Sequence, residues 1–336
     1  MFANLDLKKT FKSFNRQKIL IIGDVMIDSY LWGKVTRISP EAPVPVVSDI
    51  KEEKRLGGAA NVALNVKAMG AVPILCSVIG NDARGQIFLN LLSDENLSDI
   101  GIIVDENRVT TQKTRVISGT QHLIRVDEEI DNPLSISTEK KLIEFVNILL
   151  NEKSIDSVIF QDYDKGVIGR RGIREIVRVA NELDIPVLVD PKRRNFMSYE
   201  NITLFKPNFK ELAEGLKLDI DKNDLEQIAG MMQEFKRMKS HETILLTLSE
   251  MGVMVNDSDE YHHIAAEIRD IADVSGAGDT VISIAALCVG EKLSSLDTAA
   301  LANLAGGLVC EKAGVVSVVK DELFDEALQI QQDETE

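Results

Sequence analysis

Toward the C-terminal end of the chain, Asp273-Val274-Ser275-Gly276-Ala277-Gly278-Asp279-Thr280 runs directly into the small, apolar stretch Val281 to Val289. Three small residues between polar ends leave backbone amides bare. A helix starting there aims its unpaired N–H groups and the positive end of its dipole at whatever lies above, which makes a seat for an anion. An aspartate at the rim would repel a phosphate that merely rested there, so its presence points to chemistry. Phosphoryl transfer to an alcohol needs a carboxylate to take the hydroxyl proton, with amides and a divalent metal to hold the charge spreading over the phosphoryl oxygens. Asp279 fits the base, and Gly276, Ala277 and Gly278 fit the amide cradle. The competing reading is a glycine turn that starts a buried helix, with Asp279 and Thr280 as ordinary first-turn residues.

Such a loop needs a rigid frame, and the chain supplies alternating strand and helix signals. Lys18 to Val25 is a β-branched run ending in Gly-Asp, the pattern of a buried parallel strand that leads into a functional loop. Val44 to Arg55 reads as an exposed strand. Val62, Val66 and Met69 recur at helical spacing with Gly70 as a stop, which predicts a helix over 59–69. Ile74 to Ile79, Ser157 to Phe160, Pro186 to Asp190, Leu204 to Phe205 and Ile244 to Leu248 read as further strands. Gln86 to Leu92, Thr138 to Leu150 and the stripe Ile173, Ile176, Val177, Ala180, Leu183 read as helices. Thr111 to Ile117 and Gln121 to Val126 form a hairpin around Ser118-Gly119-Thr120. Alternating strands and helices imply a mainly parallel sheet covered on both faces, with ligands at the strands' carboxyl ends. Polar residues collect there: Asp24 to Asp28, Gln161-Asp162-Tyr163, Asp190-Pro191-Lys192, Lys206-Pro207-Asn208 and Thr247-Leu248-Ser249. Only the tail after about Leu328 reads as loose.

Composition narrows the classes. The 336 residues are 44% hydrophobic and 27% charged, which is ordinary for a globular chain. With 38 Lys and Arg against 54 Asp and Glu, the formal charge of −16 repels nucleic acid and acidic membranes. It repels ATP and sugar phosphates too, so if those are the ligands their attraction must come from a few cations focused in a cleft with help from Mg2+. No apolar run approaches the roughly 18 residues of a membrane span, and the start is not a signal peptide, so the cytoplasm is the expected location. Cys76, Cys288 and Cys310 lie far apart in apolar contexts, and the four histidines offer no zinc spacing.

Two more motifs bear on ligands. Gly57-Gly58-Ala59-Ala60-Asn61 offers backbone that can approach a sugar closely and an amide that both donates and accepts, or else close packing of helix on sheet. Asp28 could hold vicinal hydroxyls or cap a turn. Asn208 and Glu211, three apart at a helix start, could face phosphates through Mg2+-bound water, or could form a capping box, and the two roles are compatible.

In this order the pieces resemble the ribokinase family of carbohydrate kinases, also called the PfkB family, over about residues 18 to 320. The carriers are the 57–61 motif, Asn208 to Glu211, Thr247-Leu248-Ser249-Glu250-Met251-Gly252 and Asp273 to Asp279. Within the family, Gly23 to Tyr30, Arg37 to Val46, Leu123 to Asp127 and Asp162-Tyr163-Asp164-Lys165-Gly166 look like the kinases that act on C1 of D-glycero-β-D-manno-heptose 7-phosphate, in the form lacking a nucleotidyltransferase domain. The resemblance implies one ribokinase-like three-layer α/β domain over 1–336, with β-lid segments at about 30–55 and 105–127 that close over the sugar and pair in a homodimer. It implies Asp279 as base, Gly276 to Gly278 as anion hole, and Asp28, Gly57, Gly58 and Asn61 as sugar contacts, joined by Asp162. Thr247, Ser249, Gly252 and Ser275 would follow the nucleotide, with Asn303 near the adenine. Asn208 and Glu211 would organise phosphates and Mg2+, Glu211 through water. ATP and Mg2+ are the implied cofactors, with a monovalent cation as an open addition. Lys165, Arg37, Arg55 and Arg125 are candidates for the substrate phosphate. Gln161 and Lys206 stand where serine and threonine are frequent, departures expected to touch fine specificity rather than activity. The rivals are a kinase for another sugar, such as fructose or fructose 6-phosphate, and a non-catalytic sugar-phosphate sensor on the same fold.

Overall fold

The computed structural model describes residues 2, 3, 5–119, 121–152, 154–257 and 260–333. In chain order its strands are β1 (Lys18–Gly23), β2 (Val25–Ile38), β3 (Pro45–Gly58), β4 (Val72–Gly80), β5 (Gly101–Asp105), β6 (Gln112–Ser118) and β7 (Gln121–Glu128). They continue with β8 (Ser157–Gln161), β9 (Val187–Asp190), β10 (Leu204–Phe205), β11 (Thr243–Thr247), β12 (Val253–Asp257) and β13 (Glu260–Ile264).

Nine of these form one sheet in the order β13-β12-β11-β10-β9-β8-β1-β4-β5. Every pairing from β11 to β5 is parallel, and β12 and β13 add an antiparallel edge. Both faces of this sheet are apolar because both are covered. On β1, Ile19 and Ile21 enter one core with the helices Ala59–Ala68, Ala277–Gly290 and Ser295–Cys310. Leu20 and Ile22 point the other way, into a core built with Ile136–Glu152, Arg170–Glu182 and Leu225–Lys239. A strand with period-2 geometry and two buried faces must read as an unbroken apolar run, as residues 19–22 do. Strand β1 lies between β8 and β4, where the chain's direction of sheet growth reverses. That is the crevice in which open α/β sheets bind ligands.

A second sheet, β3-β2-β6-β7, stands apart from the first and is made from the segments expected as insertions. The run read as one strand through Val25 is two: β1 ends at Gly23, Asp24 intervenes, and Val25 begins the second sheet. Asp24 is buried, and its carboxylate accepts the amides of Tyr163, Lys165 and Val167, so it fastens the loop after β8 to the strand crossing. The tail after Leu328, read as loose, is the end of a helix, Lys320–Asp333. Leu323 and Ala327 bury against the first core, and Gln331 donates to the carbonyls of Phe2 and Leu5, which docks the two ends of the described chain together. The turn residue Thr120 of the hairpin lies outside the described residues.

Candidate active site

The helix Ala277–Gly290 starts at Gly276, whose φ of 86° is the left-handed region that glycine enters without strain. A Cβ there would lie 3.0 Å from Asn61 Nδ2 and 3.4 Å from Val315 Cγ1, so the turn fits tightly against the start of the helix Ala59–Ala68. Three residues on, Asp279 is 4% exposed. Its Oδ2 accepts from Asn61 Nδ2 at 2.8 Å, and its Oδ1 from Tyr163 Oη at 2.6 Å and Gln161 Nε2 at 3.1 Å. Burial pushes the carboxyl up to about 6, Asp190 adds to the rise, and the bonds from Asn61 and Tyr163 with the charge of Lys206 hold it from going higher. A fixed carboxylate titrating just below neutral pH is a competent general base.

Gln161 ends β8, Asp190 ends β9 and Lys206 follows β10, so three adjacent strands deliver them to one place. Lys206 Nζ is 3.0 Å from Asp190 Oδ2, with the two side chains only 3% and 6% exposed, and Gln161 Nε2 also donates to Asp190 at 3.1 Å. A Cβ at Gly278 would come within 3.5 Å of Lys206 Nζ and 3.7 Å of Asp190 Oδ2, so a buried ammonium underlies the amide cradle. The two departures from the family pattern therefore sit directly against Asp279 and Gly278. The next cation is Lys192. Burial opposes its charge, but Asp190 and Glu211 hold it above its ordinary range. It pairs with Glu211 and lies 5.5 Å over the Tyr163 ring.

Asn208 and Glu211 form a capping box: each side chain accepts the other's backbone N–H at 2.8 Å. Thr247, at the end of β11, makes an isolated parallel bridge to Asn208. Ser249 and Gly252 both have positive φ, and a Cβ on Gly252 would fall 2.1 Å from the Ile264 carbonyl oxygen. Asp273 fixes the other flank, accepting from the amides of Ser275 at 2.9 Å and Gly314 at 3.0 Å. Asn303 donates to the carbonyl of Ala265 at 2.9 Å.

On the second sheet, strand alternation and register place Asp28, Tyr30, Arg55, Lys113, Arg115, Arg125 and Asp127 on one face. Tyr30 Oη accepts from Val315 N at 3.2 Å and Arg55 Nη1 donates to Val315 O at 2.9 Å, which fastens this face beside the glycine turn. Asp28 pairs with Arg115. A Cβ at Gly57 would lie 2.1 Å from Asp28 Oδ2, and one at Gly58 2.4 Å from the Asp24 carbonyl oxygen, so both bare positions are required by close approach.

Several expectations change in the three-dimensional arrangement. Arg125 is 60% exposed in its side chain and pairs with Asp127, whereas its cross-strand partner Arg115 reaches Asp28. Arg37 lies on the exposed end of β2. Lys165 pairs with Glu129 at 2.6 Å, and Glu129 also takes Lys113 at 2.9 Å. Asp162 turns inward: it accepts from Asp164 N, Asn195 Nδ2 and Tyr199 Oη, and burial followed by the neighbouring Asp24 raises it to about 7. It anchors the loop rather than facing a ligand. Tyr163, Asp190 and Lys192 were read from sequence only as polar residues at the strands' carboxyl ends, with no role assigned, and Arg115 was not singled out. Their positions at or just past strand ends, or in alternation with Lys113, were the available signals.

The pfkB family carbohydrate kinase profile matches residues 16–322. The chain belongs to the pfkB family of carbohydrate kinases. Its relatives include a protein named bifunctional protein HldE from Helicobacter pylori (strain P12), 40% identical over 298 residues that cover 89% of this chain and 64% of the relative. A protein of the same name from Pelobacter propionicus is 37% identical over 327 residues, 96% of this chain and 66% of the relative. The chain thus spans somewhat under two thirds of the length of the first of these. Among solved structures, phosphofructokinase-2 from Escherichia coli in complex with potassium superposes with a TM-score of 0.76 at 19% identity, covering 94% of this chain and 99% of that one. Arabidopsis thaliana ribokinase complexed with ribose and ATP superposes with a TM-score of 0.70 at 15% identity, covering 92% and 98%. The fold is ribokinase-like, and the kinase is a phosphotransferase with an alcohol group as acceptor. Among the described residues no helix is long and apolar enough to cross a membrane, and no group of three His, Cys, Asp or Glu forms a direct metal site.

The raised Asp279 carboxyl sets a pH expectation. With Asp279 as the proposed base, which must be ionised to take a proton, the acid limb of kcat/KM should fall near pH 6. Tyr163→Phe removes a donor to that form, so its limb should move to higher pH. A pH–rate series on both proteins checks this, and superimposable limbs would mean that the hydroxyl does not tune the base.

Proposed function

We propose that this kinase transfers the γ-phosphoryl group of ATP to the C1 hydroxyl of D-glycero-β-D-manno-heptose 7-phosphate, giving the 1,7-bisphosphate. The observation that carries the reaction type is the Asp279 carboxylate, buried and held by three donors beside a bare glycine turn at a helix N-terminus. The heptose assignment is supported by the sequence resemblance at residues 23–46, 123–127 and 162–166 and by the relatives named HldE.

In the proposed reaction the C1 oxygen forms a bond to γ-phosphorus while the bond from γ-phosphorus to the β–γ bridging oxygen breaks, and ADP leaves. Asp279 takes the hydroxyl proton. The amides of 276–278 and the Lys206 ammonium meet the negative charge on the transferring group. Asp28 and Asn61 orient sugar hydroxyls, and Arg115, Arg55 and Lys113 supply cations on the same face of the second sheet for the 7-phosphate. Thr247, Ser249, Gly252, Ser275 and Asn303 line the nucleotide's path. Mg2+, when bound, would neutralise charge on the ATP phosphates. Both Glu211 oxygens are already engaged, by Asn208 N and by Lys192, a donor set that suits an ion held through water.

Gly57→Ala should raise KM for the sugar phosphate about tenfold or more while leaving KM for ATP within about twofold, since the added methyl displaces Asp28 and nothing on the nucleotide side. Equal changes in both would count against Asp28 as a sugar ligand. The outer face of the second sheet carries Ile124 and Val126, 60% and 47% exposed, and supports a homodimer through this lid. Ile124→Lys should shift the protein toward monomer in sedimentation. A cytoplasmic location accords with the use of ATP.

The deciding experiment is ADP release from Mg-ATP with D-glycero-D-manno-heptose 7-phosphate, sedoheptulose 7-phosphate, fructose 6-phosphate, fructose and ribose. Preference for the manno-heptose phosphate supports the assignment. Preference for another sugar keeps the chemistry and moves the substrate, and silence with ATP still bound turns the reading toward a sensor.

A further inference from the structure

Outside the cleft, the helix Arg170–Glu182 presents Arg170, Arg174 and Arg178 at i, i+4 spacing to a groove of about 950 Å³. Arg193 and Arg194, from the segment after β9, line the same groove. Arg178 is paired with Glu182 at 2.7 Å and Arg194 with Asp131 at 2.7 Å. Among the described residues, Arg170, Arg174 and Arg193 have no carboxylate within ion-pair distance. An exposed face of scattered arginines is ordinary, but this arrangement differs in two respects.

First, like charges stacked at i, i+4 disfavour the helix, and two further guanidiniums approach the same groove from another segment. The repulsion is relieved when an anion sits among them. Second, five arginines line the groove against two carboxylates, Glu182 and Glu200, so it is net cationic on a chain that carries −16 as a whole, and phosphorylated solutes are focused there. Ile173 and Val177, both buried, and Met197, 43% exposed, give the groove an apolar side, which accommodates the carbon skeleton of an organic phosphate. Guanidinium forks match phosphoryl oxygens in pairs.

We propose that this groove is a second anion site, distinct from the catalytic cleft, that takes a small molecule bearing two or more phosphoryl groups. The site does not depend on which sugar the kinase phosphorylates. Its wall is continuous with the cleft: Lys192 reaches Glu211 and Tyr163, and the next two residues line the groove. The Arg194 amide also lies against the Asp164 carboxylate, one residue past Tyr163.

Calorimetric titration of the whole protein with inorganic tripolyphosphate, at about 50 mM salt where screening is modest, tests the proposal. Hydrogen exchange read over 170–182 and 191–201 accompanies it. The expected result is one binding site beyond any in the cleft, protection of both segments, and roughly tenfold weaker binding in Arg174→Gln/Arg193→Gln. Both positions line an open groove, and an unchanged melting temperature will show that the variant folds. Arg170→Gln provides a second, independent variant. Binding unaltered by these substitutions overturns the proposal. So does uptake without protection of either segment that disappears on raising salt to about 150 mM, the behaviour of a diffuse cationic surface.

Discussion

Asp279→Asn is expected to lower turnover about 10²- to 10⁴-fold, the range that a positioned general base contributes, while nucleotide affinity stays within about threefold. The variant keeps the size of the side chain and removes the carboxylate proposed to accept the acceptor hydroxyl's proton, which three side-chain donors hold in place. Nucleotide binding should persist because the glycine turn, the 208–211 capping box and the 247–252 segment do not depend on that carboxylate for their geometry. Single-turnover rates and equilibrium titration with a non-hydrolysable nucleotide separate the two quantities. A variant with near-normal turnover would remove Asp279 from the role of base. One that lost nucleotide binding in parallel would show that the carboxylate organises the turn instead.

Lys206→Met should destabilise the fold by about 3–5 kcal/mol, the usual result of leaving a buried charge without its partner. The pair is almost fully shielded from water, so solvent screening does little to soften the loss. Asp190 would retain the Gln161 amide as a donor, which favours the lower end of that range. Restoring neutrality with Asp190→Asn in the same protein should recover most of the lost stability without restoring full turnover, because the ammonium below Gly278 would still be missing. Urea denaturation midpoints report the first effect and kcat the second. A loss under about 1 kcal/mol would mean that the pair is wetter than its burial indicates.

The parts of the site legible in the sequence are those set by a few neighbouring residues. The glycine turn, the start of the helix Ala59–Ala68 and the Asn208 cap each follow from local backbone requirements, and the strand segments followed from unbroken apolar runs. What could not be read depends on which strands become neighbours. Gln161 and Asp279 lie 118 positions apart and meet because β8 and the helix Ala277–Gly290 converge. Arg115 and Arg125 look equivalent along the hairpin, and only the pairing of β6 with β2 gives Arg115 the reach to Asp28. Asp162 carries the same polar label as its functional neighbours, yet tertiary packing turns it toward Tyr199 and Asn195. The helix Lys320–Asp333 was hidden by its many polar residues, since Leu323 and Ala327 are a narrow stripe that becomes meaningful only against the core.

The buried carboxyl of Asp279 also ties catalysis to acid tolerance. Its folded value of about 6 lies above the ordinary 3.8, so the native state holds this proton more tightly than the unfolded chain does. By proton linkage its contribution to stability is complete below about pH 4 and fades as pH rises through 6, on the order of 3 kcal/mol. Asp162, raised to about 7, acts in the same direction, while Asp82, Asp105, Asp127, Glu129 and Asp273 are held low and act in the opposite one. The ionised enzyme that performs the reaction is therefore the form in which the neighbourhood of its base is least at ease. A ligand hydroxyl that donates to Asp279 relieves that tension, so sugar binding should tighten the fold more at neutral pH than at pH 5.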